Sequence, residues 1–259
     1  MQPMLEQFLA GGVLAFILTF VRIGAMVMIM PGLGDSFVSE RIRLHLALGL
    51  SFVLFPLVLP YVPTPLPPTF ALLVMIFGEF VIGLLIGTVA RVFMTAMDTA
   101  GMLISMQSGL SNAQVFNPSL ASQGSLMGAL LSVTGVLLLF ETNLHHLLIT
   151  GMVESYGMFP VGEVPDTGSM AEIMVRAVSS SFSVAVKIAT PFLVLTLLIY
   201  VAMGVLSRLM PQVQVFLLAL PMQILLSMVL LMMVGSTLFL VWLNFYENSL
   251  IVFFRAAMP

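Results

Sequence analysis

The chain has 259 residues, of which 60 % are hydrophobic and 7 % charged, with a mean hydropathy of +1.17. Soluble domains carry roughly 25 % charge, so this composition excludes a cytosolic enzyme and a disordered chain. Eight basic against eleven acidic residues leave a net charge of −3 with no basic patch for nucleic-acid phosphates, and the absence of cysteine excludes disulfides and thiolate metal sites.

A spanning helix needs about 20 mostly apolar residues. Five or six runs meet that length, and long unbroken runs lack the alternation of a membrane β-barrel. The expected fold is therefore all-α, a polytopic membrane-protein type built of helical hairpins. The first run, Phe8–Met30, follows Glu6 rather than a basic region and contains Arg22, so it does not read as a cleaved signal peptide. Pro31-Gly32-Leu33-Gly34-Asp35 stops it, and a polar loop leads to Arg43. The second run is Leu44–Leu59. Proline-rich Tyr61–Pro68 then forms a stiff extended turn.

The third run is Phe70–Met97, followed by a small, polar stretch from Ser105 to Gly124 rich in Ser, Asn and Gln. The fourth is Gly124–Gly151, and Val153–Ser169 is an acidic loop with Glu154, Glu163 and Asp166. Ser180–Leu206 and Val213–Trp242 close the series, joined by a tight turn at Arg208-Leu209-Met210-Pro211-Gln212. If six helices alternate, Arg41, Arg43, Arg91 and Arg208 lie on one side and Arg176 and Arg255 on the other. The positive-inside rule makes the first side cytoplasmic and puts both termini outside.

Ionisable groups within spans are functional candidates by default; here they are Arg22, Glu79, Arg91, Glu141, His145, His146 and Lys187. Thr88, Arg91, Thr95 and Asp98 share one helix face. That stripe reads either as the lining of a wet path or as a snorkelling Arg91 with ordinary interhelical hydrogen bonds. Adjacent His145 and His146 point about 100° apart on a helix and cannot chelate one ion, whereas Glu141 and His145 at i, i+4 can pair. No hydrolase, zincin or phosphate-loop motif occurs, so no catalytic residue is assigned.

Methionine supplies 22 residues, clustered as Met26-Met28-Met30, Met94-Met97-Met102-Met106 and Met222-Met228-Met232-Met233. Unbranched Met suits either irregular core gaps or a surface that seals against changing shapes. Pro191 and Pro221 interrupt the last two runs, which suits helices packed against protein, because neighbours must satisfy the freed carbonyls.

Several motifs, in order along the chain, together resemble one family. They are Arg22-Ile23-Gly24, Pro31 and Arg41-Ile42-Arg43 near the start. Gln107-Ser108-Gly109-Leu110-Ser111-Asn112-Ala113-Gln114-Val115-Phe116-Asn117-Pro118 follows as a glycine-leucine-serine loop. Asn143-Leu144-His145-His146, Met158-Phe159-Pro160-Val161-Gly162 and Gly204-Val205-Leu206-Ser207-Arg208-Leu209-Met210-Pro211-Gln212 with Phe216 and Pro221 complete the set. The chain is similar to the FliR family of flagellar export-gate subunits, whose virulence-secretion relatives form the SctT branch. Three positions depart from the family pattern: Asn112 where an aromatic or Met is common, Asn117 for the usual acid, and Ser39 for a proline.

The resemblance implies a non-enzymatic subunit, without cofactor or metal, at the flagellar basal body in the bacterial inner membrane. It implies a hetero-oligomer with FliP and FliQ homologues, together with FlhB and FlhA homologues, that passes unfolded flagellar subunits. Nucleic acid is not a partner; membrane lipid is. Residues 1–179 would resemble FliP and 180–259 a FliQ hairpin, much of the assembly being lifted out of the bilayer. Met106 to Pro118 would be a plug that helps close the pore, with Met106, Gly109, Leu110, Val115, Phe116, Asn117 and Pro118 as its residues. Gly109 permits a bend there, while Leu110, Val115 and Phe116 supply bulk that excludes water. Arg208, Pro211, Gln212, Phe216 and Pro221 would contact FliQ-like neighbours.

Two rivals remain open from the residues alone. A stand-alone secondary transporter would use Glu79, Glu141 and Lys187 as a mid-membrane site and Pro191 and Pro221 as helix breaks. A scaffold would nucleate assembly without lining a pore.

Overall fold

A computed structural model describes residues 2–61, 68–112, 125–162, 166–210 and 215–255, with side chains over 11–61, 68–112, 125–162, 166–210 and 219–254. Val115, Phe116, Asn117, Pro118, Pro211 and Gln212 lie outside the described residues, as does the side chain of Phe216.

Among the described residues every regular element is helical. These are α1 (Gln2–Ile29), α2 (Glu40–Val58, continued by a 3-10 turn Leu59–Tyr61), α3 (Thr69–Gln107), α4 (Leu126–Glu141), α5 (Leu144–Met158), α6 (Thr167–Leu209) and α7 (Val215–Arg255). Five stretches are long and apolar enough to cross a membrane: Gly11–Ile29, Glu40–Tyr61, Thr69–Gln107, Thr167–Leu209 and Ala219–Phe254. The α4–α5 pair supplies a sixth if its 76° bend is counted within one span. The all-α, polytopic membrane-type fold read from the runs is the observed one.

The boundaries differ from the apolar runs at several places: α1 starts at Gln2, before Phe8, and α7 continues past Trp242 to Arg255. The run Gly124–Gly151 is broken after Glu141, because Asn143 takes the left-handed conformation at φ 60°; Asn is among the few residues that tolerate it. Helix α3 continues past Met97 to Gln107, since Asp98, Thr99 and Gly101 lower hydropathy without ending the helix. Helix α6 begins at Thr167, well before Ser180. Its first turns are polar but helical, with an i, i+4 contact from Arg176 to Glu172 at 2.6 Å. Pro191 and Pro221 lie inside continuous helices, so each removes one rung of the ladder rather than ending its element. At 1.5 Å per residue α3, α6 and α7 are roughly 58 to 65 Å long, about twice the ~30 Å hydrocarbon core.

The chain packs as two compact units, one of residues 1–93, 139–178 and 248–259, the other of 94–138 and 179–247. In the first unit α1 lies directly on α3. A Cβ on Gly83 would strike the Arg22 carbonyl, and one on Gly87 would meet the Met26 carbonyl at 3.1 Å. Such small residues let backbones approach where lipid supplies no hydrophobic drive. Leu14, Ala15 and Leu18 pack with Phe55, Leu59, Leu72, Met75 and Ile76, and the Phe16 and Phe55 rings meet edge-on. The ring of Phe254 lies against Gly151. Ser39 caps α2 with backbone φ −65° and ψ 146°.

In the second unit α3 meets α4 at a glycine pair: a Cβ on Gly101 would sit 2.5 Å from Gly128. A Cβ on Gly135 would meet Met94 at 2.8 Å and the Trp242 ring at 3.5 Å. The methionines divide between buried and exposed positions. Met26, Met30, Met94, Met97 and Met127 fill cores, whereas Met106, Met232 and Met233 are exposed.

Two outcomes follow. Gly101→Val forces α3 and α4 apart and destabilises the detergent-solubilised chain by about 1–3 kcal/mol, read as a lower Tm than Gly235→Ala, whose site is open. At the start of α6, the Asp166 carboxylate accepts from Ser169 Oγ (2.6 Å), Ser169 N–H (3.0 Å) and Gly168 N–H (3.2 Å). Foremost the Ser169 hydroxyl, then these amides, hold its pKa below the ordinary 3.8. The cap is therefore complete above 3.8 and is lost as the pH falls through the lower folded value. Hydrogen exchange at Gly168 and Ser169 shows the first turn fraying in acid in the wild type but not in Asp166→Asn, which caps at every pH.

Candidate functional site

The first polar centre is buried in the first unit. Arg22 of α1 has no exposed surface and Glu79 of α3 is 2 % exposed. Arg22 donates Nε to Glu79 Oε2 at 2.5 Å and Nη2 to Glu79 Oε1 at 3.0 Å, a bidentate pair. The same guanidinium donates Nη1 to the Ser155 carbonyl at 3.1 Å and Nη2 to the Phe159 carbonyl at 2.9 Å. Those carbonyls lie at the C-terminal end of α5, the negative end of its dipole, and the Ser155 carbonyl also accepts the Phe159 N–H at 2.9 Å. The Tyr156 ring covers the cation, 4.1 Å from its carbon. One side chain thereby ties α1, α3 and the end of α5.

The second centre is the root of the predicted plug, in the second unit. Met106 stands exposed on the last turn of α3. The Gln107 carbonyl accepts from Thr196 Oγ1 of α6 at 2.9 Å and from Gln223 Nε2 of α7; both donors are 3 % exposed. Gly109 follows at φ +77°, a conformation that L side chains rarely adopt. A Cβ there would find Asn112, Leu220 and Gln223 at 3.5 to 3.7 Å, so backbone angle rather than space calls for glycine. The Asn112 amide closes the turn on the Gly109 carbonyl at 3.1 Å. Leu110 is half-buried.

The chain rejoins α3 close by. The Ser125 hydroxyl donates to the Gly101 carbonyl at 3.3 Å and accepts the Gly128 N–H at 3.1 Å, capping α4. Gly101 and Gln107 are separated by roughly 9 Å of helix, so Asn112 and Ser125 both lie near the last turns of α3.

The other candidates fall elsewhere. Arg91 pairs with Asp35 of the α1–α2 connection, and Asp35 also accepts the Gly32 N–H at 2.7 Å. Glu141 and His145 form no ion pair among the described residues, because the chain bends between them; His145 instead lies against the Phe140 and His146 rings at 5.2 and 4.2 Å. Of the transporter trio, Glu79 is engaged by Arg22, while Glu141 and Lys187 are exposed. Among the described residues no three His, Asp or Glu side chains are grouped to hold a metal. Arg208 is exposed near the end of α6 and Pro221 lies in the first turns of α7.

Sequence reasoning missed Thr196, Gln223 and Tyr156. Thr196 is a lone hydroxyl within Phe192–Val201 save Tyr200, and Gln223 is the sole amide in Val215–Val234. An isolated hydrogen-bonding side chain in an apolar helix is the signal that marks them.

Residues 13–249 match the family described as bacterial export proteins, family 1. The chain is 41 % identical over 237 residues to the flagellar biosynthetic protein FliR of Caulobacter vibrioides, covering 91 % of this chain and 94 % of that one. It is 28 % identical to the flagellar biosynthetic protein FliR of Bacillus subtilis, covering 91 % and 92 %. It is also 28 % identical to the Yop proteins translocation protein T of Yersinia pestis, covering 84 % of each.

Removing one partner of the buried pair leaves the other charge stranded. Glu79→Gln and Arg22→Met each cost about 3–5 kcal/mol, whereas the joint replacement Arg22→Met with Glu79→Leu recovers much of that loss. Thermal unfolding of the purified single and double variants reads the difference.

Proposed function

The chain belongs to the bacterial export proteins, family 1, the FliR family, and on that footing we propose that it is a core subunit of a flagellar type III export gate. It is an integral membrane-type component of protein export; the finer reading concerns its assembly and site. The chain joins homologues of FliP and FliQ, with FlhB and FlhA homologues nearby, in the inner membrane at the basal body. Together they form the pore that admits unfolded flagellar subunits. Residues 1–179 act as its FliP-like portion and 180–259 as its FliQ-like hairpin.

The observation that supports this reading best is the near-complete family match, spanning residues 13–249, with 41 % identity to a flagellar relative. Geometry adds two supports. Helices α3, α6 and α7 are about twice as long as one bilayer crossing needs, which suits an assembly that stands partly above the membrane. Gly109 turns the chain away from the end of α3, and the Ser125 hydroxyl donates to the Gly101 carbonyl of that same helix, which suits an excursion between them. Met106, Gly109, Leu110, Val115, Phe116, Asn117 and Pro118 close the pore at rest by filling it with apolar bulk. Arg208, Pro211, Gln212, Phe216 and Pro221 meet a FliQ-like neighbour.

Native mass of the tagged chain, co-expressed with its genomic neighbours and extracted in mild detergent, tests the assembly. One large complex in which two smaller helical proteins outnumber this chain is the expected result; a monomer or homodimer of 28.1 kDa units contradicts it. Deleting residues 106–118 leaves that complex formed and makes the membrane leak ions, and a tight membrane with an intact complex contradicts the plug.

A further inference from the structure

Helix α6 has 43 residues, Thr167–Leu209, and one bilayer crossing takes about 20, so only about half of it fits inside the membrane. Its charges say which half. Lys187 stands exposed near the midpoint of the helix, and Arg208 stands exposed at its end. Residues 188–207 between them carry no charge. At 1.5 Å per residue the two cations are about 32 Å apart along the axis, close to the ~30 Å thickness of a hydrocarbon core.

The polar groups of this stretch are arranged for a medium without water. Thr190 donates its hydroxyl to the Val186 carbonyl at 2.8 Å, Thr196 to the Gln107 carbonyl at 2.9 Å and Ser207 to the Gly204 carbonyl at 3.0 Å. Every Ser and Thr between the cations therefore has a partner within the protein. Outward, Val194, Leu198, Val201 and Val205 are exposed along the face that holds Lys187. From residue 200 to 210 every residue except Met203 is exposed, so this end of α6 is bare on all sides. Toward the start of the helix the same face turns polar. Ser183 and Ser179 are exposed, and further back Glu172 and Arg176 pair with each other. Lys187 forms no ion pair among the described residues, so no carboxylate of this chain carries it to mid-bilayer depth. A lysine at the bilayer edge needs none, because its stem lies along hydrocarbon while its ammonium reaches the headgroups.

We infer that lipid surrounds α6 between Lys187 and Arg208, with Leu198 at the midplane, and that the half of α6 before Lys187 stands outside the hydrocarbon. Headgroup phosphates take the two cations, and acyl chains cover the face from Val194 to Val205. The inference rests on the reading of an assembly that stands partly above the membrane and adds where the border runs. Helix α7 sets no border of its own, since it carries no charge before Glu247; exposed Met222, Leu225 and Val229 extend the apolar surface on it. Thr196 lies well inside the bounded stretch, so the end of α3 that it holds at Gln107 is at bilayer depth, where ion permeation has to be blocked.

The test uses the assembled complex in lipid vesicles. The chain has no cysteine, so Ser183→Cys, Leu198→Cys and Ser207→Cys, all at exposed positions, each give a single site for a nitroxide spin label. Collision with oxygen, which concentrates in hydrocarbon, is compared with collision with a water-soluble nickel chelate. The oxygen-to-nickel ratio is expected to peak at position 198 and to fall at both 183 and 207. A ratio at 183 as high as that at 198 overturns the border, because the polar half is then immersed too. Low collision with both reagents at 198 overturns it as well, since a neighbouring subunit then covers the face. Nickel collision at 198 equal to that at 183 puts the face in water and has the same effect. The expected peak from a chain that native mass shows to be a monomer sinks the export-gate reading and leaves the border standing.

Discussion

The buried pair of Arg22 and Glu79 is the interaction on which the first unit depends. Two charges removed from water cost several kcal/mol each unless every remaining donor finds a partner. Here four donations from one guanidinium are used, two on Glu79 and two on the carbonyls of Ser155 and Phe159. That requirement fixes the height of α1 against α3 and the place where α5 ends. It also explains the glycines beside it: Gly83 lets α3 approach the Arg22 carbonyl itself, so the ion pair forms only where the two backbones nearly touch.

The second unit solves the same problem with neutral groups. Gly101 and Gly128 bring α3 and α4 into backbone contact, and Ser125 bridges them by donating to one helix while capping the other. Thr196 and Gln223 satisfy the carbonyl that α3 leaves over at its end. A membrane-type chain cannot rely on water to pay these debts, so each loose carbonyl draws a specific side chain. Thr196 of α6 and Gln223 of α7 owe their positions to this constraint rather than to solvent.

Much of the architecture was legible because a run of apolar residues long enough to span a bilayer has few alternatives to a helix. The five stretches of spanning length and the bent pair lie where the runs lie. What the runs hid were helices whose ends are polar. Arg176 and Glu172 lower hydropathy at the start of α6 yet stabilise it as an i, i+4 pair, and Asp98 sits well inside α3 rather than at its end. The left-handed Asn143 split one run into two helices. Arg22 and Glu79 were each recognisable as costly, but 57 residues separate them, and nothing local announces that they meet. The same holds for Arg91 and Asp35. Gly109 was legible as a bend, and the structure gives it the positive φ that only glycine adopts freely; the donors that hold the neighbouring carbonyl required the tertiary arrangement.

The central claim is that an export substrate passes this chain at the segment that begins at Met106. The most direct measurement places a photo-activated cross-linker at Leu110 in the assembled gate and arrests a flagellar substrate part-way through export. The account predicts a cross-link between position 110 and the arrested substrate, absent when no substrate is engaged. A cross-link that reaches only neighbouring subunits, with the substrate demonstrably held in the same complex, would contradict it.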